Sequence, residues 1–308
     1  MNKSLKIVSI AVGFVLFAVV ILAISSTKEI KENNTVFKNQ NDDFSDHYRI
    51  ATPPIPEVVD FAGEVVPLDD WDVRERLERE LLTNVYWQSN TLLNLKRSRK
   101  YFQTIETILA KNGIPDDFKY LAVAESGLIN AVSSAGAKGI WQFMESSAQS
   151  YGLTVNTEID ERYHLEKSTQ AACDYLKHSK ATLGSWTLSA AAYNRGVAGT
   201  VRDKSDQKQN NYYDLYLNTE TSRYVFRIIA FKLIMQNPDK YGFSLSDDDY
   251  FKPEKTYLLN VDTTIVDLAD FAIQNGTSYK MVKLLNPWLR DDHLTIKTGQ
   301  GHVLKMPE

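Results

Sequence analysis

From about residue 70 onward, apolar residues return every third or fourth position. Val73, Leu77, Leu81 and Val85 form one stripe, and Tyr101, Ile105 and Leu109 form another before Gly113 interrupts it. That period predicts two amphipathic helices. Pro115 suits the first turn of a third, which carries Tyr120-Leu121-Ala122-Val123-Ala124 and ends near Glu125. Leu165, Ala172 and Leu176 mark a further helix, residues 186–194 another closed by Gly196, and Tyr224, Ile228 and Phe231 a last one before Asn237-Pro238. A mainly helical domain is therefore expected over residues 70–245. The pattern then changes. Residues 257–261 and 302–306 read as strands and residues 264–274 and 278–285 as short helices, so residues 255–308 are expected to form a small α+β domain of order strand, helix, helix, strand.

Ahead of the helices the texture differs again. Residues 7–24 are an unbroken apolar and small-residue run, preceded by Lys3 and Lys6 and followed by Ser25-Ser26-Thr27-Lys28. Residues 1–25 thus read as an export signal. The run is at the short end of the roughly 17–25 residues of a spanning helix, and it fits either a cleaved signal or an uncleaved anchor. No cysteine follows it, which excludes lipoprotein processing, and the lysines place the N-terminal side in the cytoplasm. An exported, periplasmic protein held at the inner membrane by residues 7–24 is expected. Residues 26–69, polar and then punctuated by Pro53-Pro54-Ile55-Pro56, read as a linker.

Composition narrows the chemistry. With 308 residues and 43% hydrophobic content, the chain can bury one sizeable core and a small second one. A net charge of -4 carries no polyanion-binding signature, so nucleic acid is not an expected partner. Cys173 is the sole cysteine, which excludes an intrachain disulfide, and its Ala171, Ala172 and Leu176 surroundings read as helix core. The five histidines show no metal-ligand spacing, and neither metal nor cofactor is expected.

Glu125 is the candidate acid. It ends an apolar helix and precedes a small-residue turn containing Gly136 and Gly139. Desolvation there would raise its pKa and keep it protonated near neutrality, as cleavage of a glycosidic bond requires. Trp141 and Phe143 read as core. Gln142 offers a donor and an acceptor to hydroxyls or acetamides. Glu145 is the only other acid between residues 120 and 153, and it reads as a solvated residue at a helix start. Asp160 and Glu161 read as loop or cap acids.

The run Glu125-Ser126, followed by Ala135-Gly136-Ala137-Lys138-Gly139-Ile140-Trp141-Gln142-Phe143-Met144, resembles the Glu-Ser motif of the lytic transglycosylases with a goose-lysozyme-like fold. Ala192-Tyr193-Asn194 resembles their Ala-Tyr-Asn motif, and Glu220-Thr221-Ser222-Arg223-Tyr224-Val225 their Glu-Thr-Arg-x-Tyr-Val motif. The resemblance implies a lysozyme-like helical domain that cleaves the β-1,4 bond between N-acetylmuramic acid and N-acetylglucosamine in peptidoglycan. The muramic hydroxymethyl oxygen would attack its own anomeric carbon and leave a 1,6-anhydro end. Glu125 would first donate and then accept a proton. The resemblance further implies that Tyr193 orients the substrate near its acetamide beside Asn194, and that Gln142 and Met144 touch substrate. It makes Ser126 and Ser133 glycan-binding or turn-stabilising hydroxyls and puts Glu220 and Tyr224 in the cleft.

The chain departs from the family pattern at Ala131, at Arg195 after Tyr-Asn, and at Ser222, where Arg is usual and Arg223 could take over the charge. Residues 255–308 resemble the LysM module, which binds N-acetylglucosamine-containing glycans. Asn286-Pro287-Trp288-Leu289 stands where such modules carry Asn-Pro, although the usual Tyr-x-Val and Gly-Asp opening is missing. The expected partners are peptidoglycan strands and, through the N-terminal segment, the membrane. The alternatives are a non-catalytic peptidoglycan tether and a water-using muramidase.

Overall fold

The computed structural model describes residues 51–308. The apolar run 7–24 and residues 26–50 of the expected linker lie outside them. Among the described residues, no helix is long and apolar enough to cross a membrane.

Helices α1 (Trp71–Tyr86) and α2 (Gln88–Lys111) follow the two apolar stripes, with Val73, Leu77, Leu81, Ile105 and Leu109 fully buried. The Asp70 carboxylate caps α1 by accepting from the Asp72 amide at 2.9 Å. A 3₁₀ turn over Asp116–Phe118 leads into α3 (Lys119–Ser126), and Gly127 stops α3 in the left-handed conformation at φ 60°. After α4 (Glu145–Ser150) come α5 (Leu165–Leu183), α6 (Trp186–Arg195), α7 (Val197–Gln207) and α8 (Thr219–Gln236). Val225, Phe226, Ile228, Ile229 and Ala230 are all buried, so α8 is apolar nearly all round. A helix of that kind belongs in the middle of a core, and α8 packs against α1, α3 and α6. Cys173 is buried in the same core.

One boundary differs from expectation. Part of the region assigned to the 26–69 linker is structural: β1 (Asp60–Phe61) and β2 (Glu64–Val65) pair antiparallel, and Val59, Phe61 and Val66 are buried in the helical core. Phe61 meets Phe118 edge-on at 5.3 Å. Glu64 holds the hairpin down by accepting from the amides of Trp186 at 2.6 Å and Thr187 at 2.9 Å, and from the hydroxyls of Ser185 and Thr187. Burial pushes this carboxyl up, but those hydrogen bonds prevail and hold it at about 2. It also places negative charge at the N-terminus of α6, where the helix dipole favours it.

The C-terminal region matches its expected order. β3 (Thr256–Val261) pairs antiparallel with β4 (His302–Pro307), from Thr256↔Pro307 to Val261↔His302. Between them lie α9 (Leu268–Gln274) and α10 (Tyr279–Leu285). The first of these begins later than expected, because Asp267 caps it through the amides of Ala269 and Asp270 while Ile265 bridges to Leu294. Asn286 is buried and ties α10 to β4, donating to the carbonyls of Val282 and Lys305 and accepting from the Lys305 amide at 2.8 Å. The core of this region comprises Leu268, Val282, Trp288, Leu289, Leu304, Met306 and their neighbours, together with Ile159 and Tyr163 from the helical region.

Candidate active site

Glu125 sits in the last turn of α3, half-buried, with its Oε1 accepting a hydrogen bond from the Tyr224 hydroxyl of α8. Burial is the largest influence on this carboxyl and raises its pKa. The Tyr224 hydrogen bond and the Arg227 charge pull it down, Glu220 pushes it up, and it is left at about 7. At neutral pH the acid is thus poised between donating and accepting, the condition for general acid-base work.

Around it the last two sequence motifs converge. The Tyr193 hydroxyl, at the end of α6, donates to the Trp141 carbonyl at 2.8 Å, and burial together with the nearby Glu125 raises its pKa well above the ordinary value. Asn194 donates to Glu220 at 2.9 Å and accepts from the Thr221 hydroxyl at 2.8 Å, which ties the end of α6 to the first turn of α8. Glu125, Tyr193, Asn194, Glu220 and Tyr224 therefore share one site.

Three other candidates brace the loop after α3. Ser126 donates to the carbonyls of Ala122 and Ile140, and Ser133 accepts from the Ala137 amide at 3.0 Å. The Gln142 amide nitrogen donates to the carbonyls of Ala131 at 3.0 Å and Gly139 at 2.7 Å, in a residue held at φ 51°. Its donors serve the turn, while its Oε1 acceptor makes no hydrogen bond among the described residues. Met144 stands exposed at the head of α4. Trp141 and Phe143 are buried, as their core reading required.

Gly139 explains why the loop needs a glycine. A Cβ there would lie 1.9 Å from the Arg162 carbonyl oxygen. Arg162 is itself fixed by a buried two-pronged pairing with Asp160, at 2.8 and 2.7 Å, and Lys138 approaches Asp160 at 3.5 Å. Burial raises the Asp160 carboxyl, but Arg162 outweighs it and holds the group below the usual carboxylate range. Asp160 and Glu161 are thus loop acids, as expected, and both are buried.

Composition and spacing gave no sign of the Glu80 cluster. Glu80 on α1 is buried and pairs with Arg223 at 2.5 Å and Arg227 at 3.5 Å, two residues one turn apart on α8. Arg223 is therefore engaged with α1 rather than free to substitute for the family's Arg at position 222. Nothing local links the three, because Glu80 lies on α1 and Arg223 on α8, 143 positions further along the chain. Arg195 pairs with Asp203 at 2.8 Å on α7.

Residues 103–216 match the transglycosylase SLT domain, a stretch that runs from the C-terminal part of α2 through α3, α4, α5, α6 and α7. The chain carries an SLT domain. Residues 257–308 match the soluble lytic transglycosylase C-terminal LysM-like domain, following the SLT domain as they do in the fold. Membrane-bound lytic murein transglycosylase D of Escherichia coli strain K12 is 28% identical over 228 residues, covering 72% of this chain and 49% of that protein. The same protein from a second Escherichia coli strain matches equally. The chain spans about half the length of the curated relatives it matches. An inactive mutant of the lytic transglycosylase Slt from Pseudomonas aeruginosa aligns at 17% identity and a TM-score of 0.38, over 49% of this chain and 26% of that one. The SLT match ends before α8, so Glu220 and Tyr224 enter the site from beyond it.

Proposed function

We propose that the protein is a peptidoglycan lytic transglycosylase that cleaves the β-1,4 bond between N-acetylmuramic acid and N-acetylglucosamine. The observation that carries this reading is a single carboxyl, Glu125, brought to about 7 at the end of a buried helix and hydrogen-bonded by Tyr224. The other carboxylate acting on it, Glu220, is exposed and bound to Asn194. Hydrolysis by the usual route uses two carboxylates flanking the bond, one of them activating water or forming a covalent intermediate. One acid suffices when the nucleophile is the substrate's own hydroxyl.

In this reading protonated Glu125 gives its proton to the glycosidic oxygen as the C–O bond breaks. The muramic acetamide supports the positive anomeric carbon, oriented by Tyr193 and Asn194. The muramic hydroxymethyl oxygen then bonds to the anomeric carbon, and its proton returns to Glu125. Tyr224, donating to the carboxylate, stabilises the charged form between the two transfers. Gln142, Ser126 and Ser133 hold the loop that borders the cleft, with Met144 at its edge. Glu220 fixes Asn194. No water enters the balance.

The helical region up to residue 245 is the catalytic domain in this reading, 255–308 the glycan-binding domain, and the linker ends ahead of about residue 53. The apolar run 7–24 and the name of the E. coli relatives support an exported, membrane-associated protein, here assigned to the periplasm with residues 7–24 as its anchor. Digestion of purified sacculi in heavy-oxygen water tests the chemistry. Unlabelled products lighter by one water are expected, whereas label at the reducing end would make the enzyme a muramidase. A folded wild-type protein that binds sacculi without releasing products would make it a tether.

A further inference from the structure

A cavity of about 460 Å³ opens where the LysM-like region meets the helical region. This falls within the range of about 300–1,000 Å³ typical of small-ligand sites. One wall comes from the helical region: Tyr101 and Thr104 of α2, and Asn130 of the loop that follows Glu125. The other comes from the module: Leu258 of β3, Leu284 of α10 and Val303 of β4, all three exposed apolar side chains. The contact that frames the cavity is close-fitting. Ile159 bridges to Leu289, the Asp160 amide donates to the Trp288 carbonyl at 2.9 Å, the His164 ring stacks on Trp288 at 5.7 Å, and Lys305 pairs with Glu166 at 2.5 Å.

The lining favours an uncharged occupant with both apolar faces and polar edges. Lys100 and Lys305 are balanced by Glu166 and Glu254, and the Glu166–Lys305 pair is already satisfied. Among the described residues, the Asn130 amide and the Thr104 hydroxyl have no hydrogen-bond partner, so a donor-acceptor amide and a hydroxyl stand available beside Tyr101, whose ring has the Lys100 ammonium over one face at 5.9 Å. Sugar rings present C–H faces to aromatic and aliphatic side chains and hydroxyl or acetamide groups to such edges. The lysines and glutamates of the lining are equal in number, so the cavity offers no net charge from them to select an anion or a cation.

The cavity also reaches the catalytic loop. Ile140 lines it, and the Ile140 carbonyl accepts from Ser126, the residue next to Glu125, at 2.8 Å. The loop that holds Ser126 therefore also lines the cavity. We propose that this cavity is a second saccharide site, formed jointly by the helical region and the module, which holds N-acetylated sugar units of the same strand that is cut at Glu125. It rests on the peptidoglycan reading above. Its effect is avidity: a strand long enough to fill both sites gains effective concentration, and a fragment that fills only the cleft does not.

Thr104→Trp and Leu284→Trp narrow the cavity from opposite walls and touch none of the Glu125 cluster. In the chain as it stands, each is expected to raise KM for long glycan strands roughly tenfold with kcat unchanged, and to leave cleavage of a short soluble muropeptide at the wild-type rate. In a Glu125→Gln background each is expected to lower retention on sacculi by a similar factor, a readout that needs no turnover. Wild-type KM and retention in both variants would overturn the site. So would parallel loss of long-strand and short-fragment cleavage, because the effect would then run through the catalytic loop. Failure of the transglycosylase reading is distinguishable, since wild-type protein would then release no anhydro products while the binding arm still reports on the cavity.

Discussion

The helical region and the C-terminal module solve the problem of burying a core in opposite ways. The helical core contains its own central element, α8, and closes over the hairpin at residues 60–65 with Glu64 pinned to the start of α6. The module is too small to enclose its apolar residues alone. It completes its core with Ile159 and Tyr163, borrowed from the segment that precedes α5. A domain of this size buries a smaller fraction of its surface than a larger one, so two added side chains matter more to it than to the larger partner. The lesson is that a sequence boundary near residue 255 marks a change of pattern and not a line of independence.

The sharpest test of the larger region is its acid. Glu125→Gln is expected to lower turnover by about two to four orders of magnitude with the fold intact, read from product release and circular dichroism. Its stability should move the other way. The native carboxyl sits at about 7 against an ordinary 4.5, so the folded state binds the extra proton between those values and wild-type stability falls as pH rises through that window. Above pH 7 the Gln variant is expected to be more stable by about 1–3 kcal/mol, and the gap should close below pH 4.5. Urea titrations at pH 4 and pH 8 measure it; a pH-independent difference would contradict the burial of this group.

Removing residues from 255 onward addresses the borrowed core directly. Ile159 and Tyr163 would become exposed, at a cost of about 1.5–3 kcal/mol per side chain, and the melting temperature of the remaining helical region should fall. An unchanged melting temperature would show that the module is an appendage. Tyr224→Phe probes the acid more gently. The hydroxyl favours the charged carboxylate, so its loss should lift the Glu125 pKa and carry the alkaline limb of the kcat profile to higher pH, with roughly tenfold lower turnover at neutrality. The smallest effect is expected within the module, where Asn286→Ala should cost about 1–3 kcal/mol of stability by leaving the Lys305 amide without its acceptor, and leave short-fragment cleavage unaltered.

Much of the helical region was legible because a 3.6-residue stripe is a local signal: Val73, Leu77 and Leu81 announce α1 with no knowledge of the rest. Glu125 was legible for the same reason, as an acid at the end of an apolar run. The hairpin at residues 60–65 was not, because two-residue strands carry no period and the partners of Glu64 lie more than a hundred residues away. Gln142 was legible only in part. Its motif says that an amide is present, but only the fold shows its donors turned onto Ala131 and Gly139. The same blindness to distance hid Glu80 with Arg223 and Arg227, and the insertion of Ile159 and Tyr163 into the module.

The segment carrying Ile159 and Tyr163 also carries Asp160 and Arg162, which hold the loop after α3 at Gly139 and Phe143. Alternate residues of one short stretch therefore answer to two masters, and neither set can shift register without dislodging the other. For the history of the protein this means that the module is poorly suited to exchange as a cassette. A recombination junction placed between the two regions would import a foreign partner for Ile159 and Tyr163, whose side chains pack into this module.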